Sequence, residues 1–287
     1  MSDSQSSKAV GNKLVATHTT FWLWLSIAAA LLSVIGSLIA LSVARIYAGL
    51  TPFFLPQALA QDISNLAVTT PAWLILTILA LRGSLRAYLL WLGVLIFTVY
   101  NYVIYTFSVP FGPLFLLWVA VFGLTIYSLI GGVTSMEHEA IRSSYKSPRA
   151  VSVVAWGLIV TAILFGWLWL SEDVPALLSG RTPQSLIDMA LTTNPVHILD
   201  LAFFLPAVLI TAIFLIKRRA LAYSLAPAFI VFLIMTGIPI LITPIIQTAR
   251  GETAAWGAEA PIGTLTVILL CLLIWLLSTV KHTKENR

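Results

Sequence analysis

Residues 194–219 read Asn-Pro-Val-His-Ile-Leu-Asp-Leu-Ala-Phe-Phe-Leu-Pro-Ala-Val-Leu-Ile-Thr-Ala-Ile-Phe-Leu-Ile-Lys-Arg-Arg. From Val196 to Ile216 the run is apolar except for His197, Asp200 and Thr211, and three bases close it. About 20 apolar residues in a helix span the roughly 30 Å hydrocarbon core of a bilayer. The stretch therefore predicts a membrane-crossing helix, and the rest of the chain agrees. Of the 287 residues, 59% are apolar and 9% are charged. A soluble domain carries about 25% charged residues, so there is too little polar surface here to cover a water-soluble core.

Seven further runs of this kind are present. The eight expected spans cover residues 20–44, 65–81, 87–108, 112–132, 150–170, 196–216, 221–247 and 261–280. The expected fold is an all-α polytopic helix bundle. The first run exceeds the 7–15 apolar residues of a signal peptide and is read as an uncleaved span. The sixteen bases set the orientation. With the N-terminus inside, thirteen fall on the inner side, and only Arg45, Arg181 and Arg250 fall outside. The positive-inside rule favours that arrangement, with both termini cytoplasmic. It also explains the net charge of +5 without a nucleic-acid partner. Most of the ten tryptophans fall near expected helix ends, as aromatic belts require.

The chain echoes itself. Leu66–Leu90 set against Leu201–Leu225, an ungapped shift of 135, gives ten identities in 25 pairs, including Pro71-Ala72 with Pro206-Ala207 and Ala87-Tyr88 with Ala222-Tyr223. The expected organisation is a polar tail (1–19), a four-span half (20–132), an inner connector (133–149), a second four-span half (150–280) and a tail (281–287). Two halves that each begin inside form a parallel 4+4 repeat about an axis along the membrane normal.

Ionisable residues within a span are costly and often functional. In span six His197 and Asp200 stand three apart, on one helix face. In span three Asn101 and Tyr105 stand four apart. At about 1.5 Å per residue, Asn101 lies roughly 22 Å from the level of Arg86, Tyr105 about 28 Å, and Asp200 and His197 about 26 and 30 Å from that of Lys217. These four are the candidate ligand-binding residues, in one outer-leaflet layer. Pro239 and Pro244 are expected to interrupt span seven at the same depth. The plain alternative is that Asn194 caps the helix, His197 sits at the interface and Asp200 joins helices.

Other features are weaker. Arg45 and Tyr47 suit an interfacial anchor. Residues 48–64 fall in an outer loop that includes a short interfacial piece. His138 lacks a second histidine four residues on, so there is no HExxH zinc motif. Cys271 is the single cysteine, which excludes a disulfide framework and a CxxC pair. No P-loop, nucleophile elbow or dinucleotide fingerprint is found, and no cofactor or metal is expected.

The Tyr100-Asn101-Tyr102 segment, the Asn194–Asp200 run and Leu205-Pro206 resemble a family of uncharacterised bacterial multi-pass membrane proteins. The likeness runs through most of spans two to seven. It implies an inner-membrane location and no mechanism. Three functions remain open: a small-molecule or lipid binding or transport protein with an outward-facing polar pocket, a membrane enzyme acting on an outer-leaflet lipid with His197 as base, and an accessory or structural subunit. The lipid bilayer is the one partner the sequence requires; oligomeric state and protein partners stay open.

Overall fold

The computed structural model describes residues 19–254 and 256–280; both expected tails lie almost wholly outside them. Among the described residues, eight helices are long and apolar enough to cross a membrane. Spans one to four are Thr19–Ser42, Leu55–Leu81, Leu85–Ser108 and Phe115–Thr134. Spans five to eight are Pro148–Leu178, Pro195–Ile216, Ala220–Ala249 and Trp256–Ser278. A short helix, His138–Ser144, lies between the two sets.

The bundle is apolar outside. Trp156, Val160, Ile163 and Trp167 are 59–67% exposed and recur along one face of span five. Such a stripe suits lipid and not water. Small and polar residues point inward instead. Ser26, Ser33 and Ser37 of span one are buried, and so is Gly36 between them. Small residues let membrane helices approach closely, and their hydroxyls bond across the gap.

Each set of four helices closes the same ring. Span one packs on two, two on three, three on four and four on one; five, six, seven and eight repeat the cycle. The two rings meet through spans three and seven, the former being the most enclosed span of the bundle. At the crossing, a Cβ on Gly93 would stand 2.5 Å from Val231 Cβ and 2.6 Å from the Ala228 carbonyl oxygen. Only glycine allows this approach. Position 93 shifted by 135 is position 228, so equivalent positions touch, as a twofold relation requires.

The shift recurs in the backbone. Span two contains a π turn at Asn65–Thr69 and span six one at Asp200–Phe204. The N–H of Thr70 bonds to Asn65 C=O, and that of Leu205 to Asp200 C=O, each five residues back. A proline follows each turn, Pro71 or Pro206. Proline has no N–H to continue a regular ladder, and a widened turn absorbs the missing bond. Both spans then run for 12 further residues, Thr70–Leu81 and Leu205–Ile216. Each ends at a left-handed residue, Gly83 (φ 89°) or Arg218 (φ 54°).

Three expectations change. Span two begins at Leu55, not at residue 65, so most of the expected outer loop is helix. Gln57, Gln61, Asp62 and Ser64 lower its hydropathy, but this piece packs on span seven and hides Asp62 and Ser64 inside protein. Span five runs on to Leu178 and carries Glu172 and Asp173 as helical residues. Span seven is helical throughout despite Pro239 and Pro244. Its threonines bond back to the carbonyl four residues earlier, Thr243 to Pro239 (2.9 Å) and Thr248 to Pro244 (2.8 Å). The widened backbone lies in spans two and six.

Candidate functional site

Two polar clusters flank the two π turns. The first surrounds Asp62, one turn before Asn65 and only 2% exposed. Its carboxylate accepts from Tyr47 Oη at 2.6 Å and Tyr105 Oη at 2.9 Å. The Tyr105 ring stacks on Trp118, with centroids 5.2 Å apart. Asn65 accepts at Oδ1 from Gln61 Nε2 (3.0 Å) and Asn101 Nδ2 (3.3 Å), and donates to Ser37 Oγ at 3.4 Å. Tyr102 Oη reaches Ser33 Oγ at 2.9 Å and Trp91 Nε1 reaches Ser26 Oγ at 3.0 Å. A polar seam thus runs along spans one and three. Burial, and then the adjacent Asp62 charge, push the Tyr47 phenol well above its usual value, so it stays a donor.

The second cluster surrounds Asp200, which opens the π turn of span six and is 7% exposed. Its Oδ2 accepts from Trp169 Nε1 at 2.8 Å, and Tyr100 lies beside it. His197 does not pair with Asp200. Its Nδ1 lies 3.0 Å from Asp173 Oδ1 and its Nε2 3.8 Å from Glu172 Oε2. The Trp169 ring stands between the two, stacked on the imidazole with centroids 4.6 Å apart while its N–H serves Asp200. The extension of span five past residue 170 is what supplies Asp173. Asn194 caps the helix as expected, accepting from the N–H groups of Val196 (3.0 Å) and His197 (3.3 Å).

Between the clusters lies a cavity of about 460 Å³, walled by spans two, three, five, six, seven and eight. It occupies the end of the bundle away from the basic turns at Arg82 and Lys217. Volumes of roughly 300–1,000 Å³ are usual for sites that enclose small ligands. Asn101, Tyr105 and Asp200 all line it; His197 does not, and faces a separate shallow recess with Asp173. Thr236, Gln247 and Glu259 add polar groups, and most of the wall is aliphatic or aromatic. Gln247 Oε1 and Glu259 Oε2 are enclosed and have no hydrogen-bond partner among the described residues.

Sequence reasoning missed Asp62, which it left in a loop, and with it a second acid inside a span. The i, i+3 spacing from Asp62 to Asn65 matches that of His197 and Asp200, and both pairs end at the π turn. Shifting span six by 135 would have found it. It also missed Gln247 and Glu259, which stand 12 residues apart near the ends of two different helices.

Among the described residues no group of three or more His, Cys, Asp or Glu is arranged to hold a metal ion. His138 Nδ1 lies 2.9 Å from Ser224 Oγ, away from any other ligand. Comparison of the chain with protein-family models, with curated proteins and with solved structures gives no match in any of the three.

Proposed function

We propose that this membrane-spanning helical protein binds a small molecule or lipid in the cavity between its two four-helix halves, which derive from an internal duplication. On this reading the basic turns face the cytoplasm, the cavity opens toward the outer face of a bacterial inner membrane, and Asp200, Asn101 and Tyr105 stand on its wall. His197 acts through Trp169 and does not touch the ligand. The observation that carries the proposal is the pair of enclosed, unpartnered acceptors, Gln247 Oε1 and Glu259 Oε2, on the wall of a largely apolar cavity. Buried acceptors without donors are costly, and a bound molecule that supplies donors removes the penalty.

Ligand linkage tests this. A ligand at 100 times its Kd stabilises the folded state by about 2.7 kcal/mol. Thermal unfolding of the purified protein, with and without a bacterial lipid and metabolite extract, is expected to show such a gain. Ile240→Trp, which places bulk in the cavity, is expected to abolish it. An extract that stabilises neither protein, or both equally, would count against the cavity as a binding site and favour a structural or accessory role.

A further inference from the structure

The ionisable groups on the cavity wall have one sign. Asp200 and Glu259 contribute carboxylates, and no described lysine, arginine or histidine lines the cavity. The two unpartnered atoms there, Gln247 Oε1 and Glu259 Oε2, are acceptors as well. A carboxylate in a low-dielectric enclosure demands a countercharge or a donor. The cavity also presents aromatic rings around its acid. Trp169 binds Asp200 directly. Tyr100 and Phe232 meet edge to face at 5.4 Å, close beside it. Ring faces attract cations, and more strongly when water is excluded. Most of the remaining wall is aliphatic or aromatic, which favours an occupant with an apolar body over a bare hydrated ion.

We infer that the occupant is an organic cation with an apolar body, of the lipophilic amine, quaternary ammonium or phosphonium class. This rests on the cavity-binding reading above and adds the ligand's charge and chemical class to it. The cationic centre sits between Asp200 and Glu259, and the apolar body lies along the aromatic wall. Because Asp200 spends one oxygen on Trp169, Glu259 is the freer countercharge.

Two probes of like size and apolar surface but opposite charge test the inference: tetraphenylphosphonium and tetraphenylborate, with triphenylphosphine oxide as a neutral third. Binding is measured by equilibrium dialysis to the full chain in nanodiscs of zwitterionic lipid, with empty nanodiscs subtracted. The phosphonium is expected to bind saturably and at least roughly tenfold tighter than the other two, a difference of about 1.4 kcal/mol. Glu259→Gln is expected to weaken it by about tenfold. Oε2 makes no hydrogen bond among the described residues for that variant to break, and its thermal unfolding without probe reports whether the fold persists. Asp200→Asn serves as a second variant, with Trp fluorescence reporting whether the fold persists.

Equal or tighter binding of the borate or the oxide would overturn the cation assignment and leave the cavity reading standing. Phosphonium binding that survives unchanged in Ile240→Trp would place the cation elsewhere and overturn the inference. If none of the three probes binds, the cation assignment fails, while stabilisation by the extract decides the cavity reading separately.

Discussion

Residues 65–69 and 200–204 have the same backbone and opposite surroundings. Both are π turns, both precede proline and both start on a buried polar residue, Asn65 or Asp200. Around Asn65 the acid and the amide are met by protein groups: Asp62 takes two tyrosines, and Asn65 engages Gln61, Asn101 and Ser37, while the Ser64, Thr69 and Thr70 hydroxyls beside them have no partner among the described residues. Around Asp200 they are spread out. Asp200 takes Trp169 and has Tyr100 beside it, His197 turns to Asp173, and the wall beyond retains acceptors that no described residue meets. The proline fixes the turn in both places. What the turn is used for depends on neighbours that the shift does not conserve. Tyr105 shifted by 135 is Ile240, and Asn101 is Thr236. The carboxylate on one side of the bundle is thus held in a joint by two tyrosines, and the one on the other side stands on the cavity wall.

The sharpest test of that difference is to remove each acid. Asp62→Ala leaves the buried Tyr47 and Tyr105 hydroxyls without an acceptor and is expected to cost about 2–4 kcal/mol. Asp200→Ala orphans the Trp169 indole N–H and takes the carboxylate from beside Tyr100, and is expected to cost less, about 1–2 kcal/mol. Reversible unfolding in mixed micelles measures both, and equal costs would erase the distinction between joint and wall.

The second test addresses how the halves meet. Gly93→Leu drives a side chain into Val231 and the Ala228 carbonyl and is expected to destabilise by about 1–3 kcal/mol. Gly123→Leu, where a Cβ meets nothing within 4 Å, is the control and is expected to be nearly silent. Similar losses at the two positions would show that the spans three and seven crossing is not a tight contact.

The smallest effect is expected at the basic-turn end, where the Ala-Tyr echo has diverged. Tyr88 donates to the Gly132 carbonyl at 2.8 Å, whereas Tyr223 offers its own carbonyl to Tyr145 at 2.9 Å. Next to Tyr223, Ser224 meets His138, whose pKa burial lowers below the usual 6.5. A lowered folded-state value means that the unfolded chain binds the proton first as pH falls. His138 is thus expected to weaken the fold progressively below pH 6.5 and to leave it unaffected above. His138→Gln should flatten that limb of the stability–pH profile, and an unchanged slope would remove His138 as its source.

Much of this was legible in the sequence because a bilayer reads hydropathy and charge locally. Eight apolar runs and the basic turns between them mark where helices cross, since every backbone group in lipid must be satisfied within its own helix. The 135-residue shift paired Pro71 with Pro206, but the π turns before them were not foreseen, since the irregular backbone was expected in span seven. Asn101, Tyr105 and Asp200, which line the cavity, were singled out beforehand, since a polar residue inside an apolar run stands out unaided.

Tertiary structure alone decided what those residues do. Asp62 looks like a loop residue until Tyr47 and Tyr105, 15 and 43 positions away, close on it. His197 and Asp200 share a helix face, yet Trp169 from span five separates their roles. Gln247 and Glu259 join Asp200 on one wall only because spans six, seven and eight stand side by side. Hydrogen bonds and cavity walls are made between helices, and their partners are chosen by packing geometry, which no local reading of residues contains.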